Sequence, residues 1–358
     1  MISSFIRKSV EALEAYTPGE QPKQPGLIKL NTNENPYPPS PRVAEALAAI
    51  PLEMLRLYPD PVSSGLRQVI ADLHGVGVDQ VFVGNGSDEI LALCTRAFVE
   101  DDGAIGYFTP SYSLYPVLTA IRNVAGAACE LTEAFEWPAQ NPAPASLFFL
   151  ANPNAPTSML FEPSKVRSFC MTFPGVVLVD EAYVDFARAD CMEVAKSLHN
   201  VLVMRTLSKS YSLAGIRCGY VVGAVELISA LFKIKDSYNL DRLTQAAATA
   251  ALSDQAHMRA NAARIIATRQ RLAEKMKQLG FAVCSSDANF LWVRHEQPAK
   301  AIFESLKAMG ILIRYFPGPK TGDYLRVTIG NDKDVDSLVV SLEAIFQRVT
   351  TRRPASSN

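Results

Sequence analysis

The stretch that decides the fold is residues 204–220, MRTLSKSYSLAGIRCGY. It holds one lysine, Lys209, among small and hydroxylated residues, and Arg217 follows eight positions on. Residues 201–204 read as a buried strand, and Val221 and Val222 belong to another. A lysine on a tight connection between two buried strands points into the fold. Burial strips such an amine of its charge, and a neutral amine can form a Schiff base with an aldehyde. A solvated surface charge is the ordinary reading of a lone lysine, so the rest of the chain must supply chemical partners.

Upstream, residues 176–186 read VVLVDEAYVDF. Apolar β-formers end in Asp180, at the carboxyl end of a strand, where open α/β sheets place their sites. A helix-capping aspartate is an equally good reading of that residue alone. Residues 81–99 give a strand, a Gly-Asn-Gly-Ser turn and a helix from about Asp88. The free N–H groups of such a turn favour a phosphate. Residues 104–118, AIGYFTPSYSLYPVL, read as a short strand and a helix whose turn carries Tyr107, Phe108, Tyr112 and Tyr115, where an aromatic plugs a core or stacks on a flat ring. Residues 30–41, LNTNENPYPPSP, forbid regular structure and serve either as an exposed linker or as an ordered arm across a site.

Strands separated by helices over residues 41–240 indicate a largely parallel sheet covered on both faces. After Tyr238 the rhythm changes to an Ala-rich helix, one long helix over residues 255–279, and short strands alternating with helices. GILIRY (310–315) and DYLRVTIG (323–330) each read as one strand. The fold class expected is α/β: a large domain with a mostly parallel mixed sheet between helices, over 41–261, and a small α+β domain built from both chain ends, 1–40 and 262–358.

The formal net charge of −1 leaves no electrostatic footprint for nucleic acid or an anionic membrane. No apolar run reaches transmembrane length. Six scattered cysteines without a CxxC pair read as thiols of a reducing cytoplasm, and four histidines show no metal-ligand spacing.

Taken in order, GNGSDE, TPSYSLY, DEAY, TLSKSYSLAGIR and LRVTIG resemble the fold-type I pyridoxal-phosphate enzymes of the aspartate-aminotransferase-like family. The arm NTNENPYPPSP, the turn RLYPD and the lysine stretch are most similar to the histidinol-phosphate aminotransferase group. The resemblance covers the whole chain. It implies a cytoplasmic homodimer with shared active sites and pyridoxal 5′-phosphate as cofactor. It also implies transamination between histidinol phosphate and 2-oxoglutarate, giving imidazole-acetol phosphate and glutamate, in histidine biosynthesis.

By the same resemblance, Lys209 binds the cofactor covalently and serves as base, Asp180 meets the pyridine nitrogen, Tyr183 the phenolic oxygen, and Tyr112 the ring face. Gly86, Ser87, Asp88, Thr206, Ser208 and Arg217 form the phosphate cup, and Tyr58 reaches the neighbouring subunit's phosphate. Arg326 clamps the substrate carboxylate, with Arg314, Tyr16 and Asn33 nearby. One departure stands in the loop before DEAY. The family's loop asparagine and glycine are Ala155 and Ser158 here, and Asn154 is the expected replacement for the asparagine. Aromatic aminotransferases and threonine-phosphate decarboxylases share the scaffold. A non-enzymatic sensor of this fold needs a DNA-binding domain ahead of it, for which residues 1–40 are too few.

Overall fold

The computed structural model describes residues 5–13, 19–21 and 25–350. The first strand, β1 (Ile28–Lys29), belongs to the N-terminal arm. The next seven are β2 (Val81–Asn85), β3 (Ala104–Thr109), β4 (Ala125–Glu130), β5 (Leu147–Ala151), β6 (Val176–Asp180), β7 (Val201–Thr206) and β8 (Cys218–Gly223). They form one sheet in the order β2-β8-β7-β6-β5-β3-β4. Each pairing is parallel except those of β8, which runs antiparallel to β2 and β7. The reason lies in the lysine stretch. Between β7 and β8 it holds only a 3-10 turn, Ala214–Ile216. A parallel return needs a crossover of a dozen or more residues, usually helical.

Both faces of the sheet are covered, and alternation sorts the side chains. Val177, Val179, Val201, Val203 and Val222 enter one core. Leu178, Leu202, Met204 and Val221 enter the other. This is why β5 and β8 are buried along their whole length and read as unbroken apolar runs. Each fully buried side chain of this size contributes roughly 1.5–3 kcal/mol of transfer free energy. Strands β2, β3, β5, β6 and β7 deliver their carboxyl ends, at Asn85, Thr109, Ala151, Asp180 and Thr206, to one edge of the sheet.

The second unit holds β9 (Ala282–Val283), β10 (Phe290–Arg294), β11 (Ile311–Leu312), β12 (Arg314–Tyr315) and β13 (Tyr324–Thr328). Four of these form an antiparallel sheet, β12-β13-β10-β9, while β11 pairs in parallel with β1 of the arm. GILIRY is therefore two strands in two sheets, because the arm claims one half and β13 the other. The helix Gln255–Gln278 runs unbroken through residue 261, across the expected boundary. Strand β4 has no apolar run and is largely exposed; it stands at the edge on a six-pair ladder with β3.

The pair Asp180–Glu181 shows period two at work. Asp180 turns to the carboxyl edge, whereas Glu181 turns to the opposite side and meets Arg205 at 2.8 Å. The Glu181 carboxylate also accepts from Cys191 N. Burial pushes it to about 7 despite the guanidinium. Removing one member of a buried pair leaves an uncompensated charge, at about 3–5 kcal/mol. Arg205→Met should therefore lower the unfolding free energy obtained from chemical denaturation by an amount in that range. An unfolding free energy within ~0.5 kcal/mol of the parent would show that the pair holds nothing together.

Candidate active site

A cavity of about 510 Å³ opens at the carboxyl edge of the large sheet, between it, the arm and β13. This is within the size range of small-molecule sites. Lys209 reaches it from the connection after β7. Its Nζ donates to Thr32 O at 3.2 Å, and Asn35 Nδ2 donates to the backbone carbonyls of Lys209 and Ser210, both at 3.1 Å. Burial, then the guanidiniums of Arg326 and Arg217, pulls the amine down to about 8, with Glu34 working in the opposite direction. A substantial fraction is thus neutral near physiological pH.

On one side the helix Gly86–Phe98 begins, so the N–H groups of Gly86, Ser87 and Asp88 lack intrahelical acceptors. Gly86 has φ 76, and a Cβ there would lie 2.5 Å from Arg217 Nη2. A Cβ on Gly219 of β8 would lie 2.8 Å from Ser87 N. These two glycines let the helix start, β8 and the guanidinium meet. Thr206 Oγ1 stands 3.0 Å from Ser208 Oγ beside them. Arg217 is 3.4 Å from the Asp88 carboxylate, to which Tyr112 Oη also donates at 3.3 Å. Amides, hydroxyls and a guanidinium converging on a helix N-terminus suit a phosphate dianion. The helix begins at Gly86, two residues before the sequence expectation.

Deep in the cavity, Asp180 accepts from Tyr115 Oη at 2.8 Å and from Ala182 N at 3.1 Å. Burial pushes its carboxyl up to about 6. Burial and Asp180 together hold the Tyr115 phenol protonated. The sequence offered a signal for Tyr115, which stands three residues after Tyr112 at helical spacing. The Tyr183 ring lies 5.8 Å from Lys209 Nζ, and its hydroxyl accepts from Asn33 Nδ2 at 3.0 Å.

The arm is ordered. Leu30, Asn31 and Asn33 are buried, and β13 holds them. Arg326 Nη2 donates to Asn31 O at 2.8 Å, and Thr328 Oγ1 donates to Asn33 Oδ1 at 2.9 Å. Arg326 and Thr328 share a strand face because they are two residues apart. Arg314 stands directly opposite Arg326 across the β12–β13 pair. Both guanidiniums sit over the Phe316 ring, at 5.3 and 5.2 Å. Like charges placed opposite one another destabilise a sheet, and a bound anion relieves that repulsion.

The cavity thus brings together Ser87, Asp88, Tyr112, Asp180, Tyr183, Thr206, Ser208, Lys209, Arg217, Asn33, Arg314 and Arg326. Gly86 shapes its wall through Arg217. Tyr16 lies outside the described residues. Tyr58 is on the outer surface, 77 % exposed and stacked on Tyr238 at 4.3 Å, and lines no part of this chain's cavity. Asn154 is turned away from the expected role. Its Nδ2 donates to Pro110 O and Thr157 Oγ1, its Oδ1 accepts from Ser111 Oγ, and it does not line the cavity, whereas Ala155 does. Ser158, at φ 65, donates to Ser285 O and so ties this loop to the second unit.

The sequence model of aminotransferase class I and II matches residues 25–342. The chain belongs to that family. This aminotransferase is 44% identical over 351 residues to the histidinol-phosphate aminotransferase of Chromohalobacter salexigens, covering 96% of this chain and 99% of that one. It is 43% identical over 342 residues to that of Synechocystis sp., covering 95% and 98%. These relatives set it among the histidinol-phosphate aminotransferases. Its fold matches the crystal structure of the Sinorhizobium meliloti histidinol-phosphate aminotransferase in complex with pyridoxal-5′-phosphate, with TM-score 0.86 at 24% identity, covering 98% of this chain and all of the other. The L-threonine-O-3-phosphate decarboxylase of Porphyromonas gingivalis shares the fold too, at TM-score 0.77 and 20% identity over 90% of this chain and all of that one. Among the described residues no helix is long and apolar enough to cross a membrane.

The depressed Lys209 amine has a measurable signature. Acetylation by an amine-specific reagent, followed by peptide mass spectrometry, should show Lys209 reactivity rising with pH through a midpoint near 8. A midpoint at the ordinary lysine value, ~10.4, would remove the neutral amine from the site.

Proposed function

We propose that this aminotransferase moves an amino group between histidinol phosphate and 2-oxoglutarate, with pyridoxal 5′-phosphate as cofactor, in histidine biosynthesis. The observation that carries this reading is the joining of a depressed lysine amine, an anion cup, a buried carboxyl and a pair of arginines in one cavity. The donor set fits the cofactor: the cradle at Gly86 and Gly219 is closed to any side chain and open to an oxyanion. When bound, the cofactor supplies an electron sink for charge developing at the substrate's Cα.

The residues would divide the work as follows. The N–H groups of Ser87 and Asp88, with Thr206, Ser208 and Arg217, hold the phosphate. Asp180 would meet the ring nitrogen, where a carboxyl already pushed up to about 6 shares a proton readily. Tyr183 would donate to the ring oxygen, and Tyr112 would cover the ring face. Lys209 Nζ would hold the cofactor, and its amine, neutral in substantial part, would serve as the base for the proton at the substrate's Cα. Positioned bases of this kind contribute 10²–10⁴-fold. Arg326 and Arg314 receive anions at the far end. A guanidinium fork suits both the carboxylate of glutamate and the phosphate of histidinol phosphate, so one pocket serves both half-reactions.

We infer a homodimer with shared sites. The resemblance gives Tyr58 a phosphate-reaching role, Tyr58 lies outside its own chain's cavity, and Leu52, Leu55, Leu57 and Val62 around it are exposed. The scattered free thiols fit a cytoplasmic setting.

Incubated with pyridoxal phosphate, the protein should turn yellow, and borohydride should fix the cofactor on Lys209. A colourless protein would sink the reading. Lys209→Ala should keep noncovalent cofactor while turnover falls by about 10²–10⁴. Among histidinol phosphate, phenylalanine, tyrosine and threonine phosphate, kcat/KM should be highest for histidinol phosphate. Carbon dioxide released from threonine phosphate would overturn the transaminase assignment.

Mixing inactive Tyr58→Ala and Lys209→Ala chains should restore activity, because the mixed dimer has one intact site. No recovery after confirmed subunit exchange would refute site sharing.

A further inference from the structure

The hydrogen bonds around Asn33 run in one direction. Thr328 Oγ1 accepts from Asn33 N at 3.1 Å, so its own hydrogen goes to Asn33 Oδ1, at 2.9 Å. That contact fixes the amide orientation and turns Nδ2 toward Tyr183, 3.0 Å from its hydroxyl oxygen. Tyr183 Oη therefore accepts from Asn33, and its own hydrogen is left to point elsewhere, into the cavity that its side chain lines. Asn33 cannot drift from this role. It is buried, its carbonyl accepts from Asn289 Nδ2 at 3.0 Å, and its backbone is left-handed at φ 57, a conformation that asparagine tolerates. Across the cavity the loop gives no rival donor at this level. Ala155 presents a methyl group, and both amide hydrogens of Asn154 are engaged within its own surroundings.

We propose that Asn33 is the positioning residue for the cofactor's ring oxygen, acting through the Tyr183 hydroxyl. The chain from Thr328 through Asn33 to Tyr183 polarises that hydroxyl, because donors linked head to tail strengthen one another. A stronger donor at the anionic ring oxygen drains its charge. It thereby weakens that oxygen's hold on the proton shared with the Lys209 nitrogen, so the bound cofactor loses its proton at a lower pH. This proposal rests on the cofactor reading above.

The test is a pH titration of the visible absorption of the cofactor-loaded protein, without substrate. Asn33→Ala should raise the midpoint by about half to one pH unit. In a Tyr183→Phe background the same substitution should leave the midpoint unmoved, since the relay is already cut. Asn33→Asp keeps the acceptor for Thr328 and the left-handed backbone but removes the donor. It should raise the midpoint too, and because its carboxylate also acts by charge alone, it serves where the alanine variant does not fold only through the part of the shift that Tyr183→Phe abolishes. Ala155→Asn, which returns a donor to the loop, should bring the midpoint of Asn33→Ala back down. An unchanged midpoint in both Asn33 variants would overturn the proposal, as would an equal shift with Tyr183→Phe present. Weaker cofactor binding with an unmoved midpoint would reduce Asn33 to a structural peg. A parent protein that takes up no cofactor would instead defeat the function reading.

Discussion

An amine shut in beside Arg326 and Arg217 cannot hold its proton as a surface lysine does. Much of the architecture around the cavity follows from keeping Lys209 there. The lysine needs a connection too short to wander, so β8 returns antiparallel beside β7. It needs cover, which the arm gives through Thr32 O and Asn35. It also needs Glu34 close enough to temper the two guanidiniums, and that carboxylate is held by Lys29 and Thr32. With Arg326 gone the amine would regain part of its basicity; with Glu34 gone it would lose more. The value near 8 is a balance among burial, two cations and two anions, Glu34 and Asp88.

The same economy of position appears in β6 and β7. Successive residues of a strand face opposite ways, so Asp180 and Thr206 serve the cavity while Glu181 and Arg205 pair behind it. The site's floor is thus clamped from the rear by a charge pair buried away from solvent. A slip of one residue in the β6–β7 register would exchange the pair for the site residues and leave Glu181 in the cavity. The buried pair is thus matched to the observed register, in which Asp180 stands beside Met204.

How much could be read beforehand followed from sequence distance. The apolar runs of β5, β6 and β7, the glycine turn and the lysine stretch carry their signals within a few residues, and each was legible. Strand β4 was not, because AGAACE has neither alternation nor an apolar run and stands only through its ladder with β3. GILIRY was read as one strand because nothing local marks where the arm stops and β13 starts. Tyr115 was seen as an aromatic, but its partner Asp180 is 65 positions away. The reach of Asn33 to Tyr183 spans 150 positions. Asn154 looked free to take a new role, and only the packed loop shows its amide and carbonyl engaged by Pro110, Thr157 and Ser111.

The arm, which composition alone left open as a linker, is the layer that joins the two units at the site. Toward β13 its backbone gives Leu30 O to Thr328 N and Asn31 O to Arg326. Toward the large sheet it gives Thr32 O to Lys209, with the amides of Asn35 and Asn33 reaching Ser210 O and Tyr183. Within six residues the arm thus passes from partners in one unit, at Leu30 and Asn31, to partners in the other, at Thr32, Asn33 and Asn35. Any ligand that pulls on Arg326 acts on the strand that also carries Thr328, and through it on Asn33 and Tyr183. The polar, proline-rich composition that denies this segment regular structure is what lets it do so. A helix would use its backbone groups internally and a strand would give them to neighbouring strands, whereas an irregular arm keeps its carbonyls and side-chain amides for partners on both sides.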